Sequence, residues 1–501
     1  MTNEDNKVRI KLERHLWPDE IAERKAKRKK TIIRVLIVIG VIIGLIASFI
    51  GGFVGGVRTA NSIVEGRPAS PLQKIETVME TMKYKWYFGA IDPDAEQKLI
   101  DRALYGMTNS EEDPHTTYMS AEEIEAFTSN LNQNFVGIGV QFMSDEGLNI
   151  VDRVFHHSPA EEAGMLAGDI LLEADGVSLE GMDSDEVVNV VRGEEGTKVT
   201  IKVNRQGEII TMDIIRGQVN ASCYGEMLDD KVGYLEIYQF GENTDREVEE
   251  YMNAMAKKGM SQLIIDLRGN GGGYLNVLCG IADCFLEKGT LVIQQEYPNG
   301  SVDQSFTDGT PVPGVENIVI LVNGTTASAS EVLTLALKEQ RENVTIVGEQ
   351  TYGKGTVQVS QMLSDGSALK VTTSKWLSPN GVWLNGEGIE PDVVVEVPPV
   401  LKMVYTEFEE TFEYDQVDYV IETVQQALDY LGYSVSRTDG YFDKGTETAV
   451  KQFQQDHELE PTGKIDTRTY TVALSAVRRA WNLDRTMDNQ FMEAYRIAKG
   501  E

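Results

Sequence analysis

The spacing of apolar and polar positions changes several times along the chain, and each change marks a segment. Residues 35–57, VLIVIGVIIGLIASFIGGFVGGV, run 23 positions without a charge. No face of this stretch is polar, and its length suits a helix crossing a hydrocarbon core of about 30 Å. From 60 to 131 apolar residues recur every three to four positions, in PLQKIETVMETMKYKWY and DAEQKLIDRALYGMTN, which predicts helices. Ser120 followed by Glu123 has the capping-box spacing. From 132 to 220 the period falls to two, in GIGVQFMS, LNIVDRVF, DILLEADG, TKVTIKVNR and IITMDIIR, with Gly, Asp and Asn at the turns. A short helix, DSDEVVNVVRG, interrupts them.

Between 221 and 400 the two periods alternate. KVGYLEIYQF, QLIIDLRG, NIVILVNG, VTIVGEQ and ALKVTTSKWL read as strands, and TDREVEEYMNAMAKKG, YLNVLCGIADCFL and SASEVLTLALKEQ as helices. That alternation predicts a mixed α/β fold. An acidic linker at 401–415 leads into a compact helical unit at 416–475, and 476–501 reads as a helical tail with a frayed end.

Charge narrows the partners. The formal net charge is −33 over 501 residues, yet residues 1–31 are basic, with Arg24, Lys25, Lys27, Arg28, Lys29 and Lys30 clustered. The acidic remainder repels phosphates, so nucleic acid is excluded as a partner; plain solubility accounts for the acidity otherwise. With a basic flank before an apolar segment at 32–57, the positive-inside rule predicts one helix through a lipid bilayer, a cytoplasmic N-terminus and everything after it outside. The segment is longer than the apolar region of a cleaved signal peptide. Three cysteines, Cys223, Cys279 and Cys284, form neither a disulfide framework nor a zinc pattern. No metal or other cofactor is expected.

Two stretches carry candidate chemistry. In VNGTTASASEVLTLAL a strand runs into a small-residue turn at Ser328 and then a helix, whose first N–H groups can stabilise an oxyanion. An ordinary helix cap has the same look. In VGEQTYGKGTVQ, Lys354 follows an apolar strand. Burial would depress its pKa and make the neutral amine available as a base, as in Ser-Lys variants of the catalytic triad. A lysine between two glycines is otherwise a solvated turn. With five histidines and none in either stretch, a Ser-His-Asp triad is unsupported.

ASASE followed by GEQTYGKGTVQ resembles the signature of the carboxyl-terminal processing (tail-specific) proteases, peptidase family S41. The resemblance implies Ser328 as nucleophile, Lys354 as general base and Gln358 as the residue orienting the lysine. DLRGNGGG at 266–273 is similar to the family's glycine loop, which implies the N–H groups of Gly271 and Ala329 as the oxyanion hole. The strand-rich segment resembles a PDZ domain. Its GIGV run, Gly137, Ile138, Gly139 and Val140, matches the loop that captures a peptide carboxylate, and Arg192 falls in a matching R-G-x-x-G-T turn. The segment after 416 resembles a peptidoglycan-binding module.

The expected protein is thus a membrane-anchored serine endopeptidase that captures C-terminal ends of extracytoplasmic protein substrates. Peptidoglycan is a second expected partner, and a homodimer is left open. The rival reading is an inactive PDZ and cell-wall scaffold; a general ester hydrolase is a third.

Overall fold

The computed structural model describes residues 23–25, 27–30, 48, 70–132, 134–145, 147–220 and 222–501. The chain divides into two compact units, 1–103 and 104–501. In the first, α1 (Pro71–Tyr84) begins on a capping box, in which the Gln73 N–H donates to Ser70 Oγ and the Ser70 N–H to Gln73 Oε1. Helix α2 (Tyr87–Ile91) and then α3 (Ala95–Thr108) follow.

The expected membrane-spanning helix at 32–57 is corrected: among the described residues no helix is long and apolar enough to cross a membrane. The longest of them has 17 residues, Thr467–Leu483, and sets Arg468, Arg478 and Arg479 among its apolar positions. A span needs about 20 mainly apolar residues. Of the expected segment itself only Ser48 is described, and most of the expected basic tail at 1–31 also lies outside the described residues. The fold of the described residues is mixed α/β, and that element is not found among them.

The second unit opens with β1 (Thr117–Met119) and α4 (Ala121–Asn132), where Ser120 and Glu123 form the expected capping box. The strand-rich segment is closed at its base by β2 (Asn134–Gly137) pairing with β9 (Gly217–Asn220). Between them β3 (Val140–Asp145), β4 (Leu148–Val154), β5 (Ile170–Ala174), β7 (Lys198–Arg205) and β8 (Glu208–Ile215) form one antiparallel sheet, with β6 (Val177–Ser178) beside β5. Helices α5 (Pro159–Glu162) and α6 (Ser184–Val191) lie between these strands in sequence. Alternate residues Val199, Ile201 and Val203 of β7 are wholly buried with Val151, Leu171 and Val187, as period-two patterning requires.

The main core is built on a six-stranded sheet ordered β10 (Cys223–Met227), β11 (Val232–Ile237), β12 (Gln262–Asp266), β15 (Asn317–Val322), β16 (Val344–Gly348) and β19 (Val393–Val394). From β11 onward the neighbours are parallel, so both faces must be covered. Leu235, Leu263, Ile265, Ile320 and Ile346 pack under α7 (Thr244–Lys257), α8 (Leu275–Asp283) and α9 (Ala329–Gln340). A second sheet joins β1, β18 (Ala368–Leu377), β13 (Leu291–Glu296) and β14 (Val302–Phe306), with β17 (Thr356–Met362) on β18. Strands β13, β14 and β17 were not among the expected ones. Strands β14 and β17 are largely polar and partly exposed, and β13 carries only a short buried run, Val292–Ile293, before turning polar, so no long run of buried apolar positions announces them.

A 3₁₀ turn (Pro399–Lys402) leads to α10 (Tyr419–Tyr430), α11 (Lys444–Asp456) and α12 (Thr467–Leu483), packed around Val424, Leu428, Phe442, Phe453 and Tyr470. A separate α13 (Asn489–Ala498) lays Phe491, Ala494 and Ala498 on the other face of the central sheet, against Tyr234, Ile264, Val319, Leu321 and Val347.

Candidate active site

Ser328 stands at the carboxyl end of β15, where the chain turns into α9. Its backbone takes φ 57° and ψ −118°, a left-handed region that a side chain with a Cβ occupies only at a cost of about 1–3 kcal/mol. The turn is held by its neighbours: buried Thr326 donates Oγ1–H to the Leu267 carbonyl at 2.9 Å, and the Ala327 N–H donates to the Asn270 carbonyl at 3.0 Å. Nothing in the letters ASASE signals this conformation. Helix-cap residues ordinarily have negative φ.

The loop Gly269–Gly273 runs alongside. Asn270 is fully buried; it donates Nδ2–H to the Ile237 carbonyl at 2.7 Å and accepts the Gly272 N–H at 2.8 Å. Gly272 has φ +103°, and a Cβ there would come within 2.8 Å of Ser328 Cβ and 2.9 Å of the Ala329 nitrogen. Only glycine permits this approach. The Gly272 N–H is thus engaged, whereas the N–H groups of Gly271 and Ala329 have no hydrogen-bond acceptor among the described residues. Ala329 is the first residue of α9, where N–H groups are left unpaired by the helix itself.

The residue that joins the two candidate stretches is Glu331, wholly buried in the first turn of α9. Its carboxylate accepts four hydrogen bonds. They come from the Ser328 N–H at 2.8 Å, the Lys354 N–H at 2.9 Å, the Gly353 N–H at 2.7 Å and Thr351 Oγ1–H at 2.6 Å. Sequence reasoning treated this glutamate only as part of a motif. Its place three residues after Ser328 is the capping-box signal that could have found it.

From the other side, Trp376 donates Nε1–H to the Lys354 carbonyl at 2.7 Å, and Trp383 donates to the Gly355 carbonyl at 2.9 Å. Burial lowers the Lys354 pKa below the usual lysine range; the Lys370 ammonium adds to this and Glu331 opposes it. Lys370, on β18, is itself lowered by burial, against Asp113. His115 is lowered by burial and by Lys354.

Gln358, on β17, donates Nε2–H to Thr356 Oγ1 at 2.9 Å and to Thr372 Oγ1 at 3.1 Å, and Thr372 donates in turn to Asp113 Oδ1 at 3.0 Å. Among the described residues no hydrogen bond joins Lys354 Nζ to Ser328 Oγ or to Gln358. Such bonds are often long without substrate.

The expected peptide-binding residues lie together elsewhere. Gly137, Ile138, Gly139 and Val140 line a cavity of about 300 Å³ with Phe142, Val188, Val191 and Arg192. The chain turns between β2 and β3 at Gly139, φ +83°, where a Cβ would meet Ser158 Cβ at 2.3 Å. Tyr238, Gln239 and Gly269 also line the cavity, so it reaches the glycine loop. Arg192 donates to Asn130 Oδ1 at 3.3 Å, and no hydrogen bond among the described residues takes it to Ser328 or Lys354.

A parallel-sheet core with a strained serine at a strand-to-helix turn, a glycine loop against it and a half-buried lysine beside it defines a hydrolase of the serine class. Comparison with known proteins gives the family. Residues 231–395 match the model of peptidase family S41, 150–205 that of a PDZ domain and 419–472 that of a peptidoglycan binding domain. The chain is 34% identical over 420 residues to the carboxy-terminal processing protease CtpA of Bacillus subtilis (strain 168), covering 82% of this chain and 89% of that one. Among solved structures, a photosystem II D1 C-terminal processing protease is 25% identical with a TM-score of 0.42, over 65% of this chain and 92% of that chain. The chain belongs to the carboxy-terminal processing proteases of peptidase family S41, and is a serine peptidase.

Proposed function

We propose that the protein cleaves extracytoplasmic polypeptides by Ser-Lys catalysis, after its PDZ segment has taken hold of a substrate C-terminus. The observation that carries this reading is Glu331, one carboxylate bonded to the backbone of both Ser328 and Lys354. In this mechanism neutral Lys354 Nζ takes the Ser328 hydroxyl proton as Oγ attacks the scissile carbonyl. The lowered Lys354 pKa supports the neutral form. The unengaged N–H groups of Gly271 and Ala329 suit the tetrahedral oxyanion. The proton on Lys354 passes to the leaving amine, and water then hydrolyses the acyl-enzyme with Lys354 as base again. Gln358 acts through its bonds to Thr356 and Thr372, fixing the strand that follows the lysine.

Capture of substrate ends is supported by the cavity at Gly137–Val140 beside α6, where an extended peptide would add to β3. The peptidoglycan-binding match supports a site of action outside the cytoplasm, near cell wall. The test is cleavage of an unfolded protein by the purified wild type beside Ser328→Ala and Lys354→Ala. Activity in the wild type alone is the expected result. Equal activity in Ser328→Ala would overturn the assignment, and silence of all three, with a C-terminal peptide present, would favour a binding scaffold.

A further inference from the structure

The glycine loop beside Ser328 is rooted at Arg268, whose side chain is only 14% exposed. Nε and Nη2 donate to Asp266, at 2.9 and 2.6 Å, and the Arg268 N–H also donates to it, at 3.0 Å. That carboxylate balances the charge but leaves Nη1 unserved, and an unpaired buried donor costs about 1–3 kcal/mol. The acceptors for Nη1 come from more than 200 residues further along the chain: Asp488 at 2.8 Å and Gln490 Oε1 at 3.2 Å.

Both acceptors are fixed themselves. Asp488 caps α13 by accepting the Phe491 N–H at 2.9 Å, and Gln490 donates to the Val395 carbonyl at 2.7 Å. Helix α13 is pinned to the central sheet by Phe491, Ala494 and Ala498. Burial raises the Asp488 pKa against the pull of Arg268. Two residues beyond Arg268, Asn270 accepts the Ala327 N–H and Ser330 Oγ–H on its carbonyl and the Gly272 N–H on its side chain. A shift of Arg268 therefore reaches the serine turn and the glycine loop together.

We propose that Asp488 and Gln490 are positioning residues of the peptidase site, holding Arg268 so that the 269–273 loop keeps the Gly271 N–H in place for the oxyanion. This rests on the Ser328–Lys354 reading. Asp488→Ala, Asp488→Asn and Gln490→Ala are made in the full chain, with Glu493→Ala, at a residue that pairs with Arg496 and makes no bond to Arg268 among the described residues, as an α13 control. The measurements are kcat and KM on a reporter peptide, the rate of Ser328 labelling by a fluorophosphonate, and Tm.

Asp488→Ala is expected to lower kcat and labelling together by at least 30-fold with KM within threefold. Asp488→Asn, which keeps an oxygen for Nη1 and for the cap, should recover at least a tenth of wild-type kcat, and Gln490→Ala should fall between. If Asp488→Ala does not fold, the other two decide: a graded loss of kcat at unchanged KM supports the role. Wild-type kcat in folded Asp488→Ala, or in both milder variants, overturns it. So does a loss that tracks Tm alone, with labelling normal below the transition. A wild type that neither cleaves nor labels, unlike one whose variants are merely unaffected, sinks the Ser328–Lys354 reading itself.

Discussion

Glu331 and Lys354 meet through the backbone: the Lys354 N–H donates to Glu331 Oε2 at 2.9 Å, and the same oxygen accepts the Ser328 N–H at 2.8 Å. The spacing between the two stretches that carry the chemistry is therefore set by a carboxylate, without any bond between their side chains. A glutamine here keeps one oxygen but turns an N–H₂ toward N–H donors, leaving at least one unsatisfied at about 1–3 kcal/mol. Glu331→Gln is expected to lower the unfolding free energy by about 2–4 kcal/mol and to cut kcat by at least tenfold. Denaturant unfolding and steady-state kinetics check it, and wild-type values for both would remove Glu331 from the site's framework.

Gly272 makes the second close relationship. A methyl group at this position would sit 2.8 Å from Ser328 Cβ and 2.9 Å from the Ala327 oxygen, on a backbone with φ +103°. The loop or the serine turn must move by several tenths of an ångström, and misplacement of reacting groups by about 1 Å costs on the order of a hundredfold in rate. Gly272→Ala is expected to lose about that much in kcat with the α/β core intact by circular dichroism. Gly271→Ala, with no atom within 4 Å of the added Cβ, is expected to be milder, and the comparison of the two kcat values is the check.

The architecture around these residues was legible to different degrees. The alternating segments announced β11, β12, β15 and β16 because a parallel strand buried on both faces is written as an apolar run. Ser328, Lys354 and the glycine loop were legible as motifs, and the structure sets Gly272 against Ser328. The φ of Ser328 and the four bonds to Glu331 were not, since both arise from contacts made only after the sheet has formed. Helix α13 reads as an ordinary amphipathic tail. What makes it part of the core is that β11, β12, β15 and β16 present a second apolar face, which Phe491, Ala494 and Ala498 of this helix cover. The apolar segment at 35–57, which period and length argued to be a spanning helix, lies outside the described residues apart from Ser48, and no helix among those described is long and apolar enough to cross a membrane.

In the proposed function, peptide capture depends on Gly139. At φ +83° and with a Cβ meeting Ser158 Cβ at 2.3 Å, Gly139→Ala must distort the turn between β2 and β3. That turn carries the Ile138 and Gly139 N–H groups, which have no acceptor among the described residues. Binding of a fluorescent peptide with a free C-terminus is expected to weaken at least tenfold in this variant. A peptide amidated at its C-terminus should bind the wild type equally poorly. Unchanged affinity for the free-acid peptide would move the binding site away from this loop.

In the proposed mechanism the pH dependence of cleavage follows from Lys354. The active form of a lysine base is the neutral amine, so the rate rises with pH through its pKa. Burial lowers that pKa from the usual 10.5, Lys370 lowers it further and Glu331 raises it, with His115 beside the same group. The rising limb of kcat/KM should therefore lie below pH 10.5. Replacing Lys370 by Gln removes a neighbouring positive charge and no longer disfavours the protonated amine, so the Lys354 pKa goes up. The limb is expected to move to higher pH, with the rate near neutrality falling by the same factor and the alkaline plateau unchanged. Asp113 works through Lys370: it raises the Lys370 pKa against burial and so helps keep that lysine charged while Lys354 titrates. A Lys370→Gln profile that superimposes on the wild type would show that the limb belongs to a group other than Lys354.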